Sequence, residues 1–257
     1  MNQRAKKRFG QHFLSDTEIL DRIVSAFNPQ QGENIVEIGP GRGALTELLL
    51  PHLDQLTAVE LDRDLVSYLS GRFSKEKLNL VSSDILDVDL VSLFGSDPRP
   101  LRLIGNLPYN ISTPLIFRLI LQRENIQDMV FMLQKEVADR ILATPNNHHW
   151  GRLSVMVQTY FQGFKLFDVP PSAFTPPPKV FSSVIKLENR HEIPVIKNVS
   201  HFKSLVAQAF NQRRKTIRNS LKSIITEQEI QNCNIDPGQR PETLSTEDFV
   251  RLSNYVS

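Results

Sequence analysis

Cys233 is the only cysteine among 257 residues. One thiol excludes an intramolecular disulfide and any multi-cysteine zinc site. It also stands far along the chain from the motifs described below, which argues against chemistry that runs through an active-site thiolate. No apolar run approaches the length needed to span a bilayer. The basic N-terminus lacks the apolar core of a secretory signal. Low-complexity tracts and internal repeats are missing too, and the composition is that of an ordinary globular protein. The expectation is a cytoplasmic protein of a reducing compartment, with no membrane segment and no metal. No long amphipathic or heptad stretch advertises a partner surface, so a monomer is expected.

A large excess of charge is also lacking. Thirty lysines and arginines against 28 aspartates and glutamates leave a formal +2, too little to prove a polyanionic partner. The distribution says more. Lys6, Lys7 and Arg8 crowd an N-terminus that has no acid before Asp16. Arg213, Arg214, Lys215, Arg218 and Lys222 crowd a stretch with no acid between His201 and Ile225. Read as a helix over 213–225, that stretch puts Arg214, Arg218 and Lys222 on one face, with Arg213 and Lys215 widening it. Arginine suits phosphate through its planar fork of donors, so these eight residues are candidate RNA contacts. The bland alternative is a solvated helix face. His148, His149 and Trp150 sit in a polar loop and are read as structural.

Short apolar strands alternate with longer helical stretches in the first two thirds. Residues 16–27 have apolar side chains at helix spacing, with Ser15 or Asp16 as the cap. Strands are predicted at 34–38, 55–60, 78–81, 101–105 and 128–133, with helices such as 44–50 and 64–72 between them. This alternation predicts βαβ units and a mostly parallel sheet covered on both faces. Segments 155–164 and 180–187 read as two further strands, forming an antiparallel hairpin at one edge around the proline-rich loop 170–178. After residue 188 the strand pattern stops, and helices are predicted at 200–210, 213–225 and 246–255. The division is therefore an α/β domain over 1–188 and a small all-α domain over 189–257.

Gly39-Pro40-Gly41-Arg42-Gly43 joins a predicted strand to a predicted helix. Glycine there permits positive φ and close backbone approach to a ligand. The spacing is G-x-G-x-G, not the G-x-G-x-x-G of typical dinucleotide sites. Glu60 ends the next strand, where a carboxylate accepts hydrogen bonds from ribose hydroxyls. Asp84 follows the third strand, where it suits an adenine amino group. Leu61 and Ile85, next in sequence to those acids, are counted with them, as are Gly39 and Gly41. Each feature alone is weak, and either acid alone suits a helix cap. Their order, each at the C-terminal end of a strand, is the stronger sign. No Tyr-x-x-x-Lys constellation for hydride transfer accompanies them, so a nicotinamide cofactor is the lesser reading.

Asn106-Leu107-Pro108-Tyr109 follows the strand at 101–105. A neutral adenine N6 is a poor nucleophile because its lone pair is delocalised into the ring. Acceptors at its two protons favour a tetrahedral, nucleophilic nitrogen, and the Asn106 side-chain oxygen and the Leu107 carbonyl are candidates. Pro108 fixes the chain direction and biases Leu107 towards extended φ/ψ. Tyr109 offers a flat face for a purine. Joined to the cofactor motif, the set points to methylation of an adenine amino group by in-line positioning. The alternative is a strand ending in a proline turn, with Asn106 capping a helix.

The chain resembles the ribosomal RNA adenine dimethyltransferase family over nearly its whole length. The blocks that carry the resemblance run in order. They are Lys7-Arg8-Phe9-Gly10-Gln11-His12-Phe13-Leu14, then 36–46, Glu60, Asp84 and 106–109. Phe174-Thr175-Pro176-Pro177-Pro178-Lys179-Val180-Phe181-Ser182-Ser183 and Phe210-Asn211-Gln212-Arg213-Arg214-Lys215 follow. The resemblance implies a Rossmann-like class I methyltransferase sheet and S-adenosylmethionine as cofactor, with S-adenosylhomocysteine as product. It implies that Gln11, His12 and Leu14 line the methionine end, and that Gly39, Glu60 and Asp84 hold the rest. Asn106 is then shared between cofactor and target amine, and Tyr109 and Phe174 sandwich the target adenine. His12 departs from the Asn of many members, which makes pH-dependent cofactor binding a hypothesis; affinity flat from pH 5.5 to 8 removes it.

The implied substrate is two adjacent adenosines near the 3′ end of 16S rRNA in the assembling 30S subunit, each becoming N6,N6-dimethyladenosine. Three alternatives stay open on residues alone. They are a methyltransferase of large-subunit rRNA, a DNA adenine methyltransferase, and an RNA-binding assembly factor that has lost the chemistry. The block at 210–215 disfavours the first. The absence of a separate sequence-reading domain disfavours the second, and the intact Glu60, Asp84, Asn106 and Tyr109 disfavour the third.

Overall fold

A computed structural model describes residues 12–212 and 214–256. Nine strands are described: β1 (Phe13–Leu14), β2 (Asn34–Ile38), β3 (Leu56–Glu60), β4 (Leu78–Ser82), β5 (Leu101–Asn106), β6 (Ile126–Gln134), β7 (Phe161–Val169), β8 (Phe174–Thr175) and β9 (Ser182–Asn189). The helices are α1 (Thr17–Phe27), α2 (Ala44–Leu49), α3 (Arg63–Arg72), α4 (Ser112–Leu121), α5 (Lys135–Leu142) and α6 (Arg152–Gln158). After β9 come α7 (Val199–Phe210), α8 (Ile217–Ser220), α9 (Glu227–Asn232) and α10 (Thr246–Tyr255).

Seven strands form one sheet in the order β4-β3-β2-β5-β6-β9-β7. The pairs among β2 to β6 are parallel, and β9 runs antiparallel to β6. The mostly parallel sheet expected from the alternating pattern forms, with the Rossmann-like order that the resemblance implied. Strands β2 and β3 are buried at every position, which is why they read as continuous apolar runs. The chain order leaves β2 towards β3 on one side and towards β5 on the other. That reversal opens a crevice beyond the carboxyl ends of β2 and β5, where α/β sheets bind ligands.

Glycine is required where these two strands meet. A Cβ on Gly105 would lie 2.5 Å from the carbonyl oxygen of Ile38, closer than any side chain allows. Gly105 therefore lets β5 run tight against β2 up to the crevice. At the opposite end of β5, Arg102 is buried and forked onto Asp128 with two bonds of 2.8 Å. It also reaches Glu33 at 2.8 Å and the Phe27 carbonyl at 2.7 Å. These bonds pin the C-terminal end of α1 to the sheet. Asp16 caps the other end of α1 through the Ile19 N–H, and Ile19, Leu20, Ile23, Val24 and Phe27 face the core.

The chain divides into two compact units. One holds the residues up to Ala138 together with Gly163–Asn189, and the other holds Asp139–Gln162 together with the stretch from Arg190. The last of the three divisions falls after Asn189. The segment Asp139–Gln162, placed by the sequence reading in the α/β domain, goes with the helical unit. Its anchor is Trp150, which is buried and donates from Nε1 to the Leu244 carbonyl at 3.0 Å.

Two predicted elements are corrected. Residues 155–158 are the end of α6, not the start of a strand, and β7 begins at Phe161. Leu153, Val155, Met156 and Val157 are all buried, and a short apolar run buried all round does not reveal its period. The predicted helix over 213–225 reduces to the four residues of α8. The N–H groups of Ile217 and Arg218 bond instead to the carbonyls of Gln239 and Pro237, at 2.7 and 3.3 Å. Thr216 ahead of them is extended. Arg214, Arg218 and Lys222 therefore do not share one helix face. No helix among the described residues is long and apolar enough to cross a membrane.

Candidate active site

A cavity of about 550 Å³ lies at the carboxyl ends of β2, β3 and β5. Glycines shape its floor. Gly39, Gly41 and Gly43 all have positive φ, which β-carbon-bearing residues rarely adopt. At Gly41 a Cβ would also press on the Phe13 ring at 3.2 Å. Phe13 in turn lies under the Arg42 guanidinium, 4.5 Å from ring centre.

Glu60 organises the turn. Its Oε2 accepts from the Gly41 N–H at 3.2 Å and its Oε1 from the Asp62 N–H at 2.9 Å. Burial raises the Glu60 pKa, and the backbone donors partly offset it. This geometry separates the site from a dinucleotide site. There the glycine amides face a pyrophosphate. Here the Gly41 amide already faces a carboxylate, and a phosphate would be repelled. Asp84 follows β4, with Oδ1 accepting from the Leu86 N–H at 2.9 Å. Leu61 and Ile85 stand beside these acids on the cavity wall.

Glu37 also lines the cavity, and the sequence reading passed over it. It sits inside a fully buried strand, and a single acid in such a run gave no periodic sign. Its Oε2 accepts from the Thr46 hydroxyl at 2.6 Å. Burial pushes its pKa up to about 7, against the Thr46 bond, with the nearby Glu60 adding to the rise. The unfolded value is near 4.5. Between pH 4.5 and 7 the folded chain therefore holds a proton here that the unfolded chain has lost, so this group lowers stability as pH rises through that window. The full effect is about 3 kcal/mol. Glu37→Gln keeps an acceptor for Thr46 and has no charge to bury. Its melting temperature relative to the parent is expected to climb from pH 5 to pH 7.5; a difference that does not change with pH would sink the assignment.

Another side of the cavity is built from β5 and the segment before α1. Asn106, half-buried, donates from Nδ2 to the His12 carbonyl at 3.1 Å. With its nitrogen committed, the side chain keeps Oδ1 as an acceptor. The Leu107 N–H bonds to the Met132 carbonyl at 3.1 Å, which fixes the start of the proline turn. Tyr109 places its hydroxyl 3.0 Å from Ser182 Oγ, and burial raises its pKa. Its ring lies 5.7 Å from that of His12. His12 is held by a 2.9 Å bond from Nδ1 to the Pro176 carbonyl. Strand β1 pairs with β8, so the arm and the proline loop form one clasp beside the cavity.

The cavity thus gathers His12, Leu14, Gly39, Gly41, Glu60 and Leu61 from the predicted cofactor set, with Asp84, Ile85 and Asn106. Leu107, Pro108 and Tyr109 line it as well. Phe174 does not. It is 3% exposed and packs in the core cluster with Leu14 and Val184, and its neighbour Thr175 reaches the cavity wall instead. A sandwich of a base between Tyr109 and Phe174 is not formed in this arrangement, because the β1–β8 pairing turns Phe174 inward. Arg214, Lys215, Arg218 and Lys222 are exposed in the helical unit, and Arg218 pairs with Glu227 at 3.1 Å. Gln11, Lys6, Lys7, Arg8 and Arg213 lie outside the described residues.

A Rossmann-like sheet with an acidic nucleoside-sized cavity at its switch point defines a methyltransferase-type α/β protein. Residues 2–257 match the model for ribosomal RNA adenine dimethylase, and the chain belongs to that family. It is 52% identical to ribosomal RNA small subunit methyltransferase A of Alcanivorax borkumensis, covering 98% of this chain and 90% of that one. It is 49% identical to the protein of the same name from Coxiella burnetii, covering 98% of each. Among solved structures it resembles a dimethyladenosine transferase from Plasmodium falciparum, with a TM-score of 0.78, 28% identity and coverage of 94% and 96%. The 23S rRNA methyltransferase ErmE shares the fold, with a TM-score of 0.72 at 24% identity over 95% and 99% of the two chains.

Proposed function

We propose that the protein transfers methyl groups from S-adenosylmethionine to N6 of two adjacent adenosines near the 3′ end of 16S rRNA, within the assembling 30S subunit. The observation that carries this reading is Asn106. Its amide nitrogen is tied to His12, which leaves an acceptor at the mouth of a cavity that also holds Glu60, Asp84 and the Tyr109 ring.

The residues fit the cofactor. Two acids at strand ends, Glu60 and Asp84, share a cavity with close glycine backbone, which suits a cationic sulfonium bearing a ribose and an adenine. The sulfonium supplies an activated methyl group, so the protein's part is binding and orientation. Glu60 is placed for the ribose hydroxyls, Asp84 for the adenine amine, and Leu61 and Ile85 for the faces of the adenine. His12 and Leu14 cover the methionine end. Asn106 Oδ1 and the Leu107 carbonyl accept from the target amine, and Tyr109 stacks on the target base. The exposed Arg214, Lys215, Arg218 and Lys222 contact phosphates.

The test is transfer of labelled methyl groups to small subunits that lack these modifications, with the labelled nucleoside identified and mapped. Dimethylated adenosine at two adjacent positions near the 3′ end is the expected result. Label in large-subunit RNA instead would overturn the substrate, and no transfer to any RNA would overturn the activity.

A further inference from the structure

Phe181 stands out among the large apolar side chains. It is 51% exposed, and the preceding Val180 is 45% exposed. Its backbone is nonetheless fixed at its carbonyl and at the residue that follows. The Lys135 N–H bonds to the Phe181 carbonyl at 2.9 Å. The next residue, Ser182, is paired with Gln134 in the sheet and holds the Tyr109 hydroxyl at 3.0 Å. An apolar ring is thus held out in solvent one residue from the contact that steadies the base-stacking tyrosine. Lys179, exposed two residues before it, places a cation beside it in sequence.

A pre-positioned aromatic ring with a lysine beside it is an arrangement that suits unpaired nucleic acid, stacking for the base and a cation for the phosphate. Through Ser182 the place is joined to Tyr109, which lines the cavity. We propose that Phe181, with Val180 and Lys179, is a stacking platform for the nucleotide next to the one in the cavity. Resting on the RNA reading above, it assigns a seat to the second adenosine of the pair while the first is methylated.

Four substitutions test it. Phe181→Ala is expected to raise KM for unmodified small subunits about 5- to 150-fold, the span that follows from removing one base–aromatic stack. The Kd for S-adenosylmethionine stays at the parent value, because Phe181 does not line the cavity. Phe181→Tyr is expected to keep the parent KM, and Phe181→Leu, which is apolar but cannot stack, to behave like alanine. The chain has one tryptophan, Trp150, and it is buried. Phe181→Trp therefore adds an exposed fluorophore, which a short single-stranded oligoadenosine is expected to quench in that variant and not in the parent. A KM within twofold of the parent for Phe181→Ala, a parent-like Phe181→Leu, or no quenching of Phe181→Trp would each overturn the platform. Failure of the RNA reading shows separately, as absence of methyl transfer by the parent protein.

Discussion

Asn106→Ala is expected to slow methyl transfer about 10²- to 10³-fold, the range seen when one preorganised group is removed from a centre of developing charge. As the methyl group arrives, the amine nitrogen turns tetrahedral and positive, and its protons become stronger donors. An acceptor at Asn106 Oδ1 gains strength only then, so its loss falls on kcat more than on KM. The bond from Nδ2 to the His12 carbonyl sets which end of the amide faces the amine. Asn106→Asp separates the two roles. It keeps an acceptor for the amine but places a carboxylate oxygen against the His12 carbonyl. It is expected to retain more of the rate than alanine and to loosen cofactor binding through the arm. Single-turnover rates at saturating cofactor measure the first effect and cofactor Kd the second. A rate for Asn106→Ala within tenfold of the parent would remove Asn106 from the chemistry.

That geometry was legible in the sequence only in part. The parallel strands showed clearly because each is a short apolar run ended by a glycine or a polar turn, and β2 falls where its pattern predicts, at Asn34–Ile38. The order of glycine turn, Glu60, Asp84 and Asn106 marked the carboxyl ends of successive strands, so the cavity could be anticipated from spacing. What spacing does not carry is which partner a polar group chooses. Glu37 was hidden inside its strand, although it lies in the same cavity as Glu60. Phe174 was expected at the substrate and is buried, because pairing of two-residue strands decides which way it faces. The basic stretch after Phe210 has helical spacing on paper. Its backbone donors at Ile217 and Arg218 find carbonyls in the loop at 237–239 instead, a long-range competition invisible to a local window.

Glu60→Ala is expected to weaken S-adenosylmethionine binding about 10²-fold or more while leaving RNA affinity unchanged. Both carboxylate oxygens hold backbone amides, Gly41 and Asp62, so the side chain shapes the turn in addition to its proposed role at the ribose. Hydrogen bonds to a charged group contribute about 1.5–3 kcal/mol each, and each 1.4 kcal/mol is a factor of ten. Losing two ribose contacts therefore reaches that range before the turn relaxes. Glu60→Gln is not a mild substitute. Its amide nitrogen cannot accept, so one of the two backbone donors loses its partner, and an intermediate loss is expected. Calorimetric titration with the cofactor and a filter-binding assay with the small subunit read the two affinities independently. The exposed basic residues proposed for RNA lie in a different part of the chain from the Glu60 carboxylate. If Glu60→Ala lost RNA and cofactor affinity to the same degree, that separation of roles would be wrong, and cofactor loading would have to precede RNA binding.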